Sequence, residues 1–406
     1  MADRDQAIKH VLHSAFSHAG QKCSATSLLL LEAEVFDNPK FKRNLRDAVE
    51  SLEVGSAWEL QTNVNPLIRP PKGNLQEALQ EESPGEEWLV PPVPLAENLH
   101  LVTPAVKWNV QPGAPTHLTE LFGPVLSVMR FEKLDEAIDL IHQTGYGLTS
   151  GIETLDEREQ EHWQARVRAG NLYVNRPTTG AIVLRQPFGG MGKSAFGPGI
   201  KAGGPSYVTQ LMDFKETGEP EGVNLIDDIL RALALRVPTN ELKGALCSYT
   251  KQRHDEFKCE HDHQRLLGQD NLRRYCPVER LCICLHQDDT QFEIAARLGA
   301  AHAVGCGVSI AGPNAESWSD FGTIVPEPNT TQFDRLRYAT PERVPESIRH
   351  AAHKKCIYVA DTPVLSEGRL ELLWYVEEQS LSNDYHRYGN LGPRFEEKRQ
   401  SASNSV

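Results

Sequence analysis

Apolar residues in the first part of the chain alternate between helical and strand spacing. Within residues 5–17 they recur at the three- and four-residue intervals of a helix, at Ala7, Ile8, Val11, Leu12 and Ala15. Gly20 is expected to end this helix, because glycine readily adopts the left-handed conformation found at helix C-termini. An apolar run over residues 28–31 predicts a buried strand, and Asn38 followed by Pro39 predicts a second helix. Residues 63–94, rich in proline, glutamate and glycine, are expected to form an exposed excursion.

Residues 125–175 carry the clearest succession of elements. The pattern predicts a strand over 125–131, an amphipathic helix that ends at Gly145, and a strand over 148–152. A charged helix over 156–168 and a strand over 172–174 complete a β-α-β-α-β order. This order predicts parallel strands joined by right-handed crossovers. Because ligands of such sheets bind beyond the carboxyl ends of the strands, residues 175–180 are a candidate site.

The composition changes after Phe214, and this change divides the chain into three predicted parts. Residues 1–218 are expected to form a first α/β domain, residues 219–272 a polar connector, and residues 273–406 a second, Rossmann-like α/β domain. The second domain is predicted from a strand at 281–285, a helix at 290–301 and strands at 306–310 and 356–360. The fold class is therefore expected to be α/β, with parallel sheets and flanking helices.

Composition limits the classes of function. Among 406 residues, 42 are Lys or Arg and 55 are Asp or Glu, and a formal net charge of -13 does not provide the basic surface that nucleic acid requires. The first residues lack the apolar region of a signal peptide, and the apolar runs are far shorter than a bilayer span. Eight cysteines are too few for a disulfide scaffold and are typical of a reducing compartment. We therefore expect a cytoplasmic protein with no transmembrane segment and no nucleic-acid partner.

Cys23 stands apart from the other cysteines, all of which lie beyond residue 240. It follows Gly20 and Lys22 in a predicted turn, where a nearby cation and exposed backbone N–H groups favour the reactive thiolate. Cys23 is therefore a candidate nucleophile. From these residues alone, the alternative interpretation is an inert cysteine of the core.

Three other motifs offer weaker chemistry. Residues 186–194 end in Gly-Lys-Ser, but Pro187 stands where a phosphate-binding loop needs glycine, so these glycines are expected to serve a tight turn. The segment from Cys259 to His263 holds candidate metal ligands without the second spaced pair that zinc needs, and a solvated connector is the preferred interpretation. Cys282 and Cys284 alternate along a predicted strand and are expected to be small core residues.

Three short blocks occur in a specific order: Gly-Gln-Lys-Cys-Ser-Ala at 20–25, Glu-Leu-Phe-Gly-Pro at 120–124, and Asn-Arg at 175–176 with Pro-Phe-Gly-Gly at 187–190. Together they resemble the C-terminal half of the aldehyde dehydrogenase superfamily. Residues 176–181 and 201–205 resemble its glutamate γ-semialdehyde (1-pyrroline-5-carboxylate) dehydrogenase branch. Residues 264–271 and 384–390 are similar to the C-terminal extension of bifunctional proline-utilisation proteins. The resemblance implies an aldehyde-dehydrogenase-like catalytic domain over residues 1–218.

The resemblance also implies roles for individual residues. Cys23 matches the nucleophile that attacks the aldehyde and forms a thiohemiacetal, whose hydride passes to NAD to leave a thioacyl enzyme. Glu120 matches the residue that holds the nicotinamide ribose, and Phe122 matches the aromatic side chain beside the nicotinamide. Other residues match the part of the family's site that binds the substrate. Ser24, Gly180 and Ala181 match the residues that anchor its α-carboxylate. Phe188 matches an aromatic side chain that packs on its aliphatic stem. Backbone N–H groups suit a carboxylate because they are directed donors.

Two features of the family have no match in this sequence. The family's general base is a glutamate upstream of the cysteine, whereas residues 1–22 contain no glutamate. The family's NAD-binding domain and its oxyanion-stabilising asparagine also precede the cysteine. The chain is therefore expected to be the thiol-bearing part of an enzyme, incomplete when isolated, through truncation or a split gene.

The resemblance implies NAD-dependent oxidation of L-glutamate γ-semialdehyde to L-glutamate in proline catabolism. The expected partners are a proline dehydrogenase module or an N-terminal half, together with further copies in a homo-oligomer. The alternative is a non-catalytic assembly subunit with a vestigial site, in which residues 385–392 form an oligomer contact. A relative that releases its thioester to coenzyme A is a third possibility.

Overall fold

The computed structural model describes residues 2–95, 98–195, 197–218, 220–225, 227–328 and 330–399. The chain divides into two compact units. Unit 1 comprises Met1–Ile182, Arg265–Asp270 and Leu381–Val406, and unit 2 comprises Val183–Gln264 and Asn271–Ser380. The three-part division at residues 218 and 272 stays a prediction.

Unit 1 contains both helices and strands. Its helices are α1 (Arg4–Phe16), α2 (Ala33–Phe36), α3 (Pro39–Glu50), α4 (Asn74–Gln80), α5 (Pro115–Leu118), α6 (Leu134–Gln143) and α7 (Glu157–Arg166). Its strands are β1 (Leu28–Glu32), β2 (Glu87–Val90), β3 (Ala105–Trp108), β4 (Val125–Phe131), β5 (Tyr146–Gly147), β6 (Thr149–Ile152) and β7 (Asn171–Val174). The helices predicted at 5–17 and 156–168 and the strands predicted at 28–31 and 125–131 are confirmed.

The sheet of unit 1 has the order β1-β4-β3-β2. Strand β4 runs parallel to both β1 and β3, and β2 is antiparallel to β3. Helix α3 begins where the Asn38 side chain accepts hydrogen bonds from the backbone of Lys40 and Phe41. Its apolar face, with Leu45 and Val49 fully buried, packs into the same core as β4.

Two sequence expectations for unit 1 need correction. The β-α-β-α-β order is present, but β4 belongs to the sheet with β1 and β3, whereas β6 pairs in parallel with β7. Residues 63–94 are not simply an exposed excursion, because they contain α4 and β2 and bury Val64, Leu67 and Val90. The proline and glutamate content concealed these few apolar anchors.

The C-terminal residues of unit 1 pack against its short 265–270 segment. The Gly268 amide donates a hydrogen bond of 2.8 Å to the Tyr385 hydroxyl, and the Arg394 guanidinium pairs with both carboxylate oxygens of Asp270 at 2.8 and 2.9 Å. The guanidinium carbon of Arg394 also lies 3.9 Å from the centre of the Tyr385 ring. Part of the predicted 385–392 contact is therefore engaged within this unit.

Unit 2 carries the remaining elements. Its helices are α8 (Asp228–Arg236), α9 (Asn240–Gln252), α10 (Gln291–Val304), α11 (Glu346–Lys355) and α12 (Gly368–Glu371). Its strands are β8 (Met191–Gly192), β10 (Arg280–Cys284), β11 (Gly307–Ala311), β12 (Thr323–Ile324), β13 (Arg335–Arg337) and β14 (Tyr358–Ala360). The boundary between the units falls within β9 (Gln269–Pro277) and within β15 (Val376–Asp384).

The parallel sheet of unit 2 confirms the Rossmann-like prediction. Its order is β12-β11-β10-β13-β14, and every neighbouring pair is parallel. Helices α8 and α9 lie inside the stretch that the sequence predicted as a polar connector. Their leucines Leu233 and Leu246 are fully buried in the core that also contains Leu298 of α10. Polar residues at 216–228 and 248–263 flank these helices and led to the connector interpretation.

Arg297 of α10 occupies the point at which the strand order of this sheet reverses. Its guanidinium donates to the backbone oxygens of Cys284 at 2.8 Å and Arg337 at 3.3 Å, the last residues of β10 and β13. The same group pairs with buried Asp289, which Arg343 also contacts at 2.8 Å. In doubly wound sheets this crevice is where ligands bind. Here a buried ion-pair network fills it.

A buried ion pair in unit 1 generates a stability prediction. The Lys107 ammonium lies 3.1 Å from a Glu86 carboxylate oxygen, and both side chains are almost fully buried. Lys107→Met should lower the free energy of unfolding by about 3–5 kcal/mol, because it leaves the Glu86 charge buried without its partner. Chemical denaturation measures this change.

The exposed pair of Lys42 and Glu87 provides the matched control. Lys42→Met should cost less than about 1 kcal/mol, because exposed ion pairs gain little. Equal costs for the two variants would contradict the assignment of Lys107 and Glu86 as a structurally critical buried pair.

Candidate active site

The turn that carries Cys23 is shaped by the residues immediately before it. After α1, a 3₁₀ turn (Ser17–Gly20) brings His18, Ala19 and Gly20 to φ values of 56°, 54° and 69°. A Cβ atom at Gly20 would lie 2.3 Å from the backbone oxygen of Gly123. Only glycine combines this backbone conformation with such a close approach. The Gly20–Gly123 contact therefore sets the position of the Cys23 turn, and Cys23 itself is exposed and free.

Gln21 fixes the turn from the other side. Its side-chain amide donates a hydrogen bond of 3.1 Å to the backbone oxygen of Phe122, and its side-chain oxygen accepts one of 2.9 Å from the Ile68 amide. Glu120 and Phe122 are exposed, and Phe122 has a φ of 52°. The structure thus brings the 120–124 block, with its carboxylate and its aromatic ring, next to the Cys23 turn.

Thr178 connects the third block of unit 1 to the same turn. Its hydroxyl donates to the Ser24 backbone oxygen at 3.1 Å and lies 3.0 Å from the Thr26 hydroxyl. Its amide donates to the Ser14 hydroxyl at 3.0 Å, and the Ser14 backbone oxygen accepts from the Thr26 amide at 3.1 Å. Sequence reasoning missed these three residues. Thr178 lies inside the recognised 176–181 motif, whereas nothing in the sequence singled out Ser14 or Thr26.

The chain turns sharply after β7 and leads to Gly180. Asn175 has a φ of 55°, and its side-chain amide exchanges hydrogen bonds of 3.0 and 2.9 Å with the backbone of Thr154. Gly180, at a φ of 88°, and Ala181 are exposed, while Ser24 is buried. Among the described residues, and apart from its two chain neighbours, no atom lies within 4 Å of the position that a Cβ of Gly180 would take. The backbone at 180–181 is therefore open to a ligand.

Phe188 belongs to unit 2, in a loop held by Lys201 and β15. The Phe188 amide donates to the Ala202 backbone oxygen at 2.9 Å, and the Lys201 ammonium donates to the Gly189 backbone oxygen. The Lys201 amide donates to the Glu378 carboxylate at 2.8 Å. At Gly190, a Cβ atom would lie 2.2 Å from the Ser194 backbone oxygen. The glycines of this loop thus serve a tight turn, as the sequence predicted.

Electrostatics distinguish two side chains near the Cys23 turn. Burial lowers the pKa of His13, and electrostatic interactions with Lys22, His10 and His18 lower it further. Burial raises the pKa of Tyr173 to about 12, although the Arg176 charge opposes this, and Cys23 adds to the rise. At neutral pH His13 is therefore uncharged and Tyr173 is protonated.

The metal hypothesis at residues 259–263 has no support in the part of the chain that the structure describes. His261 and His263 stack with ring centres 5.8 Å apart, and His261 is bonded to the backbone of Glu256 and Arg273. Within the described residues, no three His, Cys, Asp or Glu side chains group as metal ligands.

No described helix has the length and apolar character needed to cross a membrane.

The chain is similar to several known proteins. The family model described as "Aldehyde dehydrogenase family" matches residues 1–217. The bifunctional protein PutA of Klebsiella aerogenes is 31% identical over 397 residues, which cover 89% of this chain and 28% of that protein. The 1-pyrroline-5-carboxylate dehydrogenase of Bacillus subtilis is 32% identical over 219 residues, 54% of this chain and 42% of that enzyme.

A solved structure of proline utilization A from Corynebacterium freiburgense is also similar. It matches with a TM-score of 0.85 and 39% identity, over 96% of this chain and 38% of that one. The chain spans less than half the length of these relatives.

The Gly20–Gly123 contact predicts a large effect of a single methyl group. Gly20→Ala should lower the free energy of unfolding by about 2 kcal/mol or more, because the left-handed conformation costs about 1–2 kcal/mol for alanine and the methyl group also collides with Gly123. Gly305→Ala, directly after α10, is the matched control: Gly305 is also left-handed, with φ 92° and ψ 32°, but its Cβ would meet no atom of the described residues within 4 Å. Chemical denaturation measures both variants. Equal losses of unfolding free energy would show that the contact with Gly123 does not affect stability.

Lys201 predicts a pH dependence of stability. Burial lowers its pKa to about 8, while Glu378, Glu377 and Cys276 oppose the shift. Between pH 8 and about 10.5 the unfolded chain therefore binds more protons at this residue, and the free energy of unfolding should rise with pH by up to about 3 kcal/mol.

The matched variants are Lys201→Met and Lys193→Met, of which Lys193 is exposed. Denaturation across pH 7.5–10.5 should lose this rise in Lys201→Met and keep it in Lys193→Met. Parallel curves for wild type and Lys201→Met would contradict the assignment.

Proposed function

The chain belongs to the aldehyde dehydrogenase family, and from this membership we propose that it supplies the cysteine-bearing part of an NAD-dependent L-glutamate γ-semialdehyde dehydrogenase. The product would be L-glutamate, as the final oxidation of proline catabolism. Relatives named PutA and 1-pyrroline-5-carboxylate dehydrogenase support this substrate. The observation that carries the proposal is the exposed Cys23, held in a turn between the 120–124 block and the 175–180 segment.

Cys23 is proposed as the nucleophile. Its thiolate attacks the aldehyde carbon, a carbon–sulfur bond forms, and the carbonyl π electrons move to the oxygen. Hydride loss from that carbon to bound NAD, which is the chemistry the cofactor supplies, would leave a thioester on Cys23. Water then adds to the thioester and releases glutamate and the thiol.

Glu120 and Phe122 fit a nicotinamide nucleotide. Both are exposed on the loop that Gln21 bonds to the Cys23 turn. A carboxylate accepts hydrogen bonds from vicinal ribose hydroxyls, and an aromatic ring packs on a planar heterocycle. We therefore propose that these two residues hold the cofactor beside the thiol.

The substrate's α-carboxylate is proposed to bind at Ser24, Gly180 and Ala181. Thr178 bonds the Ser24 backbone to the segment that leads to Gly180, so that the three residues form one anchor. The open backbone at Gly180 offers directed donors without a mobile cation. Phe188 is proposed to pack on the aliphatic stem of the substrate.

The remaining parts of the reaction are proposed to come from partners or further sequence. The relatives extend well beyond the residues matched here, and residues 1–22 lack the glutamate that the family uses as a base. We propose that an N-terminal half supplies the base and the cofactor domain, and that a proline dehydrogenase module supplies the substrate. We also propose that the protein forms a homo-oligomer and is located in the cytoplasm.

The 406 residues assayed alone with glutamate γ-semialdehyde and NAD should turn over at least about 100-fold more slowly than an intact family enzyme. The reason is that a general base and an oxyanion donor each commonly contribute this much. Addition of a separately expressed N-terminal half should restore formation of NADH.

The control is Cys23→Ala, which should abolish the restored activity without preventing association. Association without restored activity would favour the assembly subunit with a vestigial site. Turnover by the 406 residues alone at the rate of an intact enzyme would contradict the proposed division of labour.

A further inference from the structure

Lys201 is a buried lysine whose ammonium group bonds to a backbone oxygen. The residue is 1% exposed, and its Nζ donates a hydrogen bond to the oxygen of Gly189, in the Phe188 loop (residues 186–190). Within the described residues, no carboxylate lies at ion-pair distance from this ammonium. Lysine is rarely buried without such a partner, because an unpaired charge is costly to remove from water. Residues that break a rule of this kind are expected where a function requires them.

Strand β15 fixes the backbone that carries Lys201. The Lys201 amide donates a hydrogen bond of 2.8 Å to the Glu378 carboxylate, and the Glu378 amide donates one of 3.0 Å to the Gly199 oxygen. A Cβ atom at Gly204 would lie 3.0 Å from the same carboxylate, so the 199–204 segment packs directly on the strand. Glu378 is itself 1% exposed. The side chain of Lys201 therefore starts from a fixed point.

Ser380, on the same strand, holds the Phe188 loop at a second point. Its hydroxyl donates a hydrogen bond to the Pro187 backbone oxygen, and the residue is 2% exposed. The Phe188 amide, which belongs to the same peptide unit as that oxygen, donates to the Ala202 oxygen at 2.9 Å. The peptide plane before Phe188 is thus bonded at both its oxygen and its nitrogen, and Lys201 bonds the oxygen of the residue that follows.

Phe188 stands at the edge of the anchored part of the loop. Gln186 and Pro187 are buried, and the Gln186 side-chain amide donates a hydrogen bond of 2.6 Å to the side-chain oxygen of buried Asn271. Phe188 and the two glycines after it are only half-buried. The loop is therefore held from the protein interior and leaves Phe188 partly accessible.

We propose that Lys201 and Ser380 are positioning residues, which fix the Phe188 ring so that the site prefers an aldehyde with an aliphatic stem. The inference deepens the function proposed above and rests on the role proposed there for Phe188. Neither positioning residue needs to touch the substrate. A ring on an anchored loop loses little freedom when a substrate packs on it, whereas a ring on a mobile loop must first be ordered at a cost in affinity.

The first test is hydrogen–deuterium exchange of the 406-residue chain, followed by mass spectrometry. Peptides that cover residues 186–192 should exchange about three- to tenfold faster in Lys201→Met and in Ser380→Ala than in wild type, because each variant loses one hydrogen bond that holds the loop. Exchange in α10 should stay unchanged, since the loss is local. Ser380→Ala removes a single oxygen atom and therefore keeps the test decisive if Lys201→Met fails to fold.

Matched controls carry the same substitutions outside the Phe188 loop and its anchors. Lys243→Met replaces an exposed lysine of α9. Ser317→Ala removes an exposed hydroxyl that also donates to a backbone oxygen, that of Asn314, at 2.8 Å. Both controls should leave exchange at residues 186–192 at the wild-type rate.

The second test measures substrate preference in the chain supplemented with the N-terminal half. Lys201→Met and Ser380→Ala should lower kcat/KM for glutamate γ-semialdehyde about tenfold, mainly through a higher KM. Both variants should keep kcat/KM for acetaldehyde, which lacks the stem, within about twofold of wild type. Phe188→Ala should give the same pattern. Adding Lys201→Met to Phe188→Ala should cost nothing more, because both substitutions act through the same ring.

The outcomes separate the inference from the proposed function. Unchanged exchange of the loop in both variants would overturn the anchoring. Faster exchange with equal losses of kcat/KM for the two aldehydes would overturn the role in substrate preference, because the bonds would then serve stability alone. Failure of the supplemented wild type to oxidise glutamate γ-semialdehyde would contradict the proposed function instead. The exchange result does not depend on turnover, so it decides the anchoring in that case as well.

Discussion

The approach of two backbone segments at Gly20 and Gly123 is the constraint on which the candidate site depends. Without side chains at these positions, the end of α1 and the loop before β4 lie within van der Waals contact. Gln21 can then bond the Phe122 backbone, and Cys23 faces solvent between this loop and the segment after β7. Cys23 lies on an irregular turn, which lacks the rigidity of a helix or strand. The contact between Gly20 and Gly123 fixes its position instead.

Polar contacts extend this constraint to the substrate side of unit 1. Ser14 on α1, Thr26 after the turn and Thr178 after β7 form one set of hydrogen bonds. These bonds join three segments that are distant in sequence, and each is made by a small hydroxyl side chain with little freedom to lose. The segment that carries Gly180 is thereby tied to the backbone that carries Cys23.

The sequence predicted the positions of helices and strands better than it predicted which strands pair. Strand β4 and helix α7 were found because their apolar or capped patterns are local, whereas the separation of β4 from β6 and β7 depends on packing that periodicity does not record. Helices α8 and α9 were missed because polar flanks outweighed a few buried leucines. At the site, Cys23 and the 120–124 block stood out as motifs, but Ser14 and Tyr173 did not. A serine on a helix or a tyrosine in a strand attracts no notice until the structure shows its contacts. The Tyr173 hydroxyl, for example, is buried and bonds to no atom of the described residues.

In unit 2, Arg297 occupies the place where proteins of similar architecture bind ligands. A parallel sheet with this strand order has a natural cavity where the order reverses, and dinucleotides commonly use it. Here α10 fills that cavity with a cation whose hydrogen bonds reach both central strands and Asp289. Hydrogen bonds that hold the sheet together therefore occupy the position of the usual pocket. The point at which such folds bind small molecules instead holds a buried cation that ties the two central strands to α10, and this stiffens the sheet.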